Sequence, residues 1–420
     1  MLKNLHAPIC MMLERPGGEW SHINKGVYWE GYGEYDKAVA CYSRALRTDP
    51  RHVAANRRMG MALYRLGRFG DALGHLDAAL APDPGDADIL LARGRVLEKL
   101  QRYAEALECL KCIGSSHHNH TEVLTVAASC QSGLGRHAEA VATLDGVLAT
   151  KPGDADVLYV KSRILGRMGR AAESISCLND AIAADSARSG LLYEKGRRLT
   201  REGKHEDAIG WYTRALEKDP KNVQALVAKA WTLDLAGFPT KDVFPYLDEA
   251  LKIDPTNAEA LMTRGLICDR KGLFQKAVEC FDRVLEAHPD HIRALYSKGV
   301  SLYSMKKTGA ARFFCQSALL REPDNIMALC TMVWLLDHEG EYEEALKHCD
   351  RALEINPGYV YAISYRARIL MSMERYEESL KYYDMALDLD PDNRRAQYYR
   401  ERVREKIAGK KRRSLFGVFR

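Results

Sequence analysis

The sequence has no long apolar run: no stretch approaches the ~18 unbroken apolar residues that a membrane helix needs. Its opening, "MLKNLHAPICMMLERPGG", lacks a clean apolar core and a small-residue cleavage site, so no signal peptide is expected. Phosphate-cradling loops of the GxxxxGK[ST] or GxGxxG type are missing, as are HExxH and GxSxG. Their absence removes the usual nucleotide, zinc-hydrolase and serine-hydrolase readings. Disulfide framing is lacking too. Eleven cysteines, an odd number and scattered, fit a reducing compartment. These absences lead us to expect a cytoplasmic protein that is not an enzyme, with no cofactor, no metal and no small-molecule substrate.

What is present argues for a folded chain. An apolar content of 46% with 28% charged residues excludes disorder over the 420 residues. The net charge of +5 is uneven. From Arg394 to Arg420, eleven Lys/Arg face only Glu401 and Glu405, a local +9 that leaves the rest of the chain at −4. The basic character belongs to the carboxyl end.

Proline is sparse and periodic. It recurs at Pro50, Pro84, Pro152, Pro220, Pro255, Pro289, Pro323, Pro357 and Pro391, with steps of 34 or 68 and a single 35. The two vacant places fall at His118 and Ser186. Each proline closes a version of one stretch, such as "GEYDKAVACYSRALRTDP" at 33–50 or "GEYEEALKHCDRALEINP" at 340–357. A fixed period in this range predicts a solenoid of stacked units. Counting back from the prolines gives eleven units over 19–393.

Small residues recur at fixed places: Gly26, Gly60, Gly94, Ala128 and Ser162 in one helix, and Ala38, Ala72, Ala106, Ala140 and Ser174 in the next. They are expected to let paired helices approach, with leucines four residues earlier, such as Leu90 and Leu124, as the knobs. A glycine seven residues on (Gly33, Gly67, Gly135, Gly169, Gly203, Gly237, Gly272, Gly340) predicts the turn. One such pair cannot bury its own apolar face, so each unit needs a neighbour.

Period, small residues and terminal proline together resemble the tetratricopeptide repeat family over about nine-tenths of the chain. The resemblance implies an all-α solenoid, a right-handed superhelix of antiparallel helix pairs whose first helices line a concave groove. It further implies a non-catalytic scaffold for protein–protein interaction, holding a partner peptide or helix there. Residues 1–18 precede the array, 394–409 are expected to form a capping helix, and 410–420 a basic and apolar tail. An alternative is a peripheral membrane or nucleic-acid adaptor anchored by that tail, "GKKRRSLFGVFR".

Three departures stand out. Unit three ends in "ECLKCIGSSHHNH", an irregular turn at 113–120. Cys109, Cys112, His117, His118 and His120 suggest a metal site there. However, Cys41, Cys177 and Cys280 share the place of Cys109, which marks a buried small hydrophobe. Unit seven carries a one-residue insertion near 238–245. We expect Asp242 to cap a late-starting helix with Pro245 in its first turn, either as a hinge or as a local irregularity. Lys or Arg also stands before the first small residue in eight units, as at Arg93, Lys161 and Arg264, and is expected to reach a nearby carboxylate.

For the groove, the inward positions implied by the resemblance hold Arg57, Arg58, Arg65, Arg95, Lys99, Arg163, Arg167, Arg197 and Arg201 in units two to six. Units seven to eleven hold Trp231, Tyr296, Tyr303, Trp334, Tyr361 and Tyr365. Basic walls focus a field on acidic ligands, and Trp and Tyr are strong anchors. The expected partner is a protein segment, acidic toward the amino half and apolar toward the carboxyl half; the alternative is a solvated helix face.

Overall fold

A computed structural model of the chain describes residues 19–417 other than 116, 118 and 119, with side chains from 22 to 409. Among the described residues it is all helix and turn: 23 helices, from Glu19–Gly31 to Arg394–Gly417, and no strand. The architecture is an all-α helical repeat solenoid. The chain divides into two compact units, residues 1–192 and 193–420.

The helices come in pairs with a constant grammar. The first helix of most pairs, such as Ala87–Lys99 or Ala258–Arg270, begins after a residue whose side chain accepts a backbone N–H. Asp86 accepts from Ile89, Asn222 from Ala225, Asn257 from Ala260 and Asn325 from Ala328, each at 3.0 Å. Such a cap satisfies one of the donors a helix start leaves open. The pair is joined by a turn that needs a left-handed backbone. Gly33, Gly67, Gly135, Gly169, Gly203, Gly237, Gly272 and Gly340 all have φ between +74° and +87°. Where glycine is missing, Gln101, Lys306 and Glu374 take that conformation at φ 60°, 62° and 58°.

The small residues are holes, but their knobs are not the leucines four residues earlier. A Cβ placed on Gly94 would sit 2.8 Å from Leu110, on Gly196 2.7 Å from Tyr212, and on Gly265 2.5 Å from Phe281. The knob is the residue sixteen positions later, on the second helix of the same pair. Tyr42, Leu76, Leu144, Tyr212, Phe281 and Tyr383 are all fully buried in this role or its equivalent. Leu90 and its counterparts bury elsewhere in the core because the chain reverses between the helices, bringing the second helix's side chain over the gap. Where serine replaces alanine, its hydroxyl is satisfied: Ser174 donates to the Ser162 carbonyl at 2.5 Å and Ser379 to that of Ala367 at 2.7 Å.

In five of the eight units the basic residue before the hole has the carboxylate partner expected of it. Arg93 meets Asp77 at 2.7 Å and Lys161 meets Asp145 at 2.5 Å; Arg264–Asp248, Lys298–Asp282 and Arg366–Asp350 repeat the pairing. Each carboxylate lies sixteen residues back, on the preceding second helix, so these pairs stitch one helix pair to the next.

The insertion near 238–245 lengthens the turn and leaves the helix intact. Thr240–Ile253 keeps the 14 residues of its counterparts, with Pro239 rather than Asp242 at its cap. Pro245 is the sixth residue, inside the helix rather than in its first turn. Lacking an N–H, it leaves the Lys241 carbonyl without its usual intrahelical donor. In the irregular third unit the second helix stops early, as Tyr103–Lys111. At the carboxyl end the capping helix, expected over 394–409, runs on to Gly417. Its Ala396 and Val403 are buried against Tyr383 and Tyr376, and Arg400 reaches Asp384 at 2.6 Å. It thus repeats the first-helix pattern.

Candidate partner-binding surface

In the residue 1–192 unit, three of the six predicted groove arginines are engaged by carboxylates of neighbouring first helices. Arg58 pairs with Glu30 at 3.0 Å, Arg57 with Asp88 at 3.8 Å, and Arg95 with Glu122. Lys99 lies 3.9 Å from Glu98. Arg65 is exposed. Arg163 and Arg167 converge with Lys99 and Tyr103 on a small cleft of about 180 Å³. There Arg167 donates to Ser132 Oγ at 3.2 Å, and Arg163 lies 5.8 Å from the Tyr159 ring.

The residue 193–420 unit brings three of the six predicted aromatics together. Trp334, Tyr361 and Tyr365 line one cleft of about 520 Å³ with Val300, Met327, Cys330, Thr331 and Tyr359. No charged side chain lines it. Tyr361 is 66% exposed and available for contact. Behind Trp334, Tyr303 packs edge-on at 4.8 Å and the His338 ring lies tilted at 4.9 Å, with the His338 Nδ1 2.8 Å from the Trp334 carbonyl. Tyr359 donates its hydroxyl to Met327 Sδ at 3.0 Å. The indole is therefore held from behind, and little ordering is left for binding. Burial pushes the Tyr365 hydroxyl above its ordinary pKa and the Cys330 thiol up to about 12. That thiol is protonated at neutral pH, so the cleft offers contact area rather than a nucleophile.

Tyr296 is not part of this cleft; it is half-buried and packs among Leu295, Phe314 and Leu319. Trp231 belongs to a second cleft with Arg197 and Arg201. Sequence reasoning missed Met327, Cys330 and Tyr359. Tyr359 stands just before the helix Val360–Ser372, so a count restricted to helix positions passes over it.

The cysteine column in the second helices is what its periodicity suggested. Cys41, Cys109 and Cys280 are buried and Cys177 partly so, and burial raises all four thiol pKa values. Cys109 donates to the Leu90 carbonyl at 3.3 Å, whereas exposed Cys112 turns to the Glu108 carbonyl. His117 faces Asp88 at 3.4 Å; His118 lies outside the described residues. Among the described residues no group of three His, Cys, Asp or Glu side chains is placed to hold a metal ion. No helix there is long and apolar enough to cross a membrane. The tail's side chains from 410 onward, on which the adaptor alternative rests, lie outside the described ones.

Helix pairs, left-handed turns and glycine holes at one period define a class, the all-α helical-repeat proteins. Sequence profiles of the tetratricopeptide repeat match residues 32–87, 57–111, 159–223 and 193–258, then 258–291 and 338–402, well over half of the chain. The chain belongs to the tetratricopeptide repeat family. Its fold is similar to the crystal structure of yeast Tom70, with a TM-score of 0.53 at 14% identity, over 93% of this chain and 96% of that one. A tetratricopeptide repeat protein from Parabacteroides merdae matches with a TM-score of 0.51 at 19% identity, over 59% of this chain and 98% of that one. No curated protein matches the chain by sequence. Membership of this family supports a protein–protein interaction scaffold.

Proposed function

We propose that the protein is a non-catalytic, cytoplasmic scaffold that holds a partner's peptide or helix on its first-helix face. Apolar side chains of the partner seat in the Trp334 cleft. The observation that carries this reading is the convergence of Trp334, Tyr361 and Tyr365 on one uncharged cleft of about 520 Å³. That volume accommodates large apolar side chains, and buried aromatic anchors dominate binding energy at interfaces. Among the described residues ten cysteines are free and most of them buried, which suits a reducing compartment.

The test compares wild-type and Trp334→Ala protein as parallel baits, followed by binding kinetics on each captured protein. A genuine partner is depleted from the variant, and its affinity falls by about tenfold or more, mostly through faster dissociation. If every captured protein binds the variant as well as the wild type, the cleft is not the site.

A further inference from the structure

A second cleft in the residue 193–420 unit, of about 580 Å³, has a different chemistry. One wall is the indole of Trp231. The Arg270 guanidinium lies 4.6 Å from its ring centre, and Arg270 is itself paired with the buried Asp234 carboxylate. Lys271 reaches the same carboxylate at 3.4 Å. Carboxylate, guanidinium and indole form a fixed stack, so the wall stands ready before any ligand arrives. The floor carries hydroxyls: Thr200 Oγ1 lies 3.2 Å from Tyr212 Oη and 3.0 Å from Thr232 Oγ1.

The charge at the rim is not balanced. Arg197 is answered by Glu194 at 2.7 Å. Arg201 and Arg293 are exposed, and neither has a carboxylate within ion-pair distance among the described residues. Glu259 is the one acid that lines the cleft. Two unanswered guanidinia against one carboxylate, beside a rigid indole, favour an anion that carries an apolar neighbour. A nucleic-acid strand needs a run of available cations, but Arg197, Arg198 and Arg270 are already held by Glu194 and Asp234.

We propose that this cleft takes an acidic segment of a partner protein, with a glutamate or aspartate side chain drawn to Arg201 and Arg293 and an adjacent apolar residue on Trp231. The proposal rests on the reading of the first-helix face as a partner-binding surface and names the partner chemistry at a site separate from the Trp334 cleft.

The experiment titrates the full-length protein into a short fluorescein-labelled, amidated peptide of alternating glutamate and leucine, and into its glutamine–leucine counterpart. Anisotropy is read at low and at high salt. The wild type is expected to bind the glutamate peptide about tenfold more tightly at low salt, a margin that shrinks as salt is raised. In Arg201→Gln/Arg293→Gln, two exposed substitutions checked for native helicity and melting, the margin collapses toward unity. Trp231→Ala weakens both peptides, whereas Trp334→Ala leaves the glutamate preference in place. Equal binding of the two peptides by the wild type overturns the proposal, as does an unchanged preference in the double variant. A preference kept by the double variant but lost in Trp334→Ala assigns acidic recognition to the other cleft and overturns this one.

Discussion

Arg95 in the residue 1–192 unit and Trp334 in the residue 193–420 unit hold the same repeat position, following Gly94 and Val333 respectively, and do opposite things. Arg95 is paired with Glu122 from the next first helix, as Arg58 is with Glu30 and Arg57 with Asp88. Trp334 meets no charge and opens onto a cleft. A position on a repeat face is therefore not a function. An arginine with a carboxylate one repeat away is part of the array's own cohesion, modest in value when exposed. An aromatic held from behind, with an uncharged hollow in front, is the feature on which the proposed partner site rests.

The two units share a frame, and the frame can be made to fail differently in each. Gly94 faces Leu110, whose methyl end can swing away, while Gly265 faces the fully buried ring of Phe281 at 2.5 Å. Gly94→Ala sets a small clash against the helix propensity that alanine gains, so its urea midpoint should move little. Gly265→Ala should cost about 2–3 kcal/mol through overpacking. Equal effects at the two sites would show that the knobs are equally free to move.

A smaller effect distinguishes three carboxylates at one repeat position. Asp234 is answered by Arg270 and Asp337 by Arg368, but Asp269 has the Ser301 hydroxyl at 2.5 Å and no cation in ion-pair reach among the described residues. Burial raises its pKa above the ordinary carboxylate value, and the Ser301 hydrogen bond pulls it partly back. The folded chain thus holds this proton more tightly than the unfolded chain. Stability falls as pH rises from the ordinary carboxylate value through the raised one, and the ionised form is a net cost above it. Asp269→Asn is expected to melt higher than the wild type at neutral pH, with the difference gone below pH about 3. A lower melting temperature at neutral pH would mean that the carboxylate is stabilising.

The frame was legible in the sequence because it is written in residues whose chemistry has one use. Glycine at a left-handed turn and a small residue at a helix crossing recur at 34, and the fold follows from them. The chain's own partners were less legible. Nothing local to Arg58 announces Glu30, 28 residues away, because the pair forms only once two repeats are stacked. Naming Leu90 as a knob failed for the same reason: the chain reversal, not the heptad-like spacing, decides which side chain covers Gly94. Pro245 misled because proline was taken to define a helix start, when the added residue had gone into the turn before it. The aromatics were legible as residues and not as a site. Which of them meet, and that Tyr296 packs inward, depends on how neighbouring first helices are set side by side.

The smallest effect lies in the turns, where each unit has its own exception. Gln101 in one, and Lys306 and Glu374 in the other, adopt φ near +60° at the place where glycine otherwise stands. For an L-residue that conformation costs ~1–2 kcal/mol, while glycine enters it freely but loses more entropy on folding, about 0.5–1 kcal/mol. The two terms oppose, so Gln101→Gly, Lys306→Gly and Glu374→Gly should each stabilise by no more than about 1 kcal/mol. The reverse change, Gly203→Ala, leaves open space at Cβ and tests the backbone term alone. It should destabilise by about 1 kcal/mol. Urea midpoints for the four variants check both signs. If Lys306→Gly and Glu374→Gly destabilise while Gln101→Gly stabilises, the turns of the two units are not equivalent, and side-chain contacts rather than backbone strain decide what occupies this place.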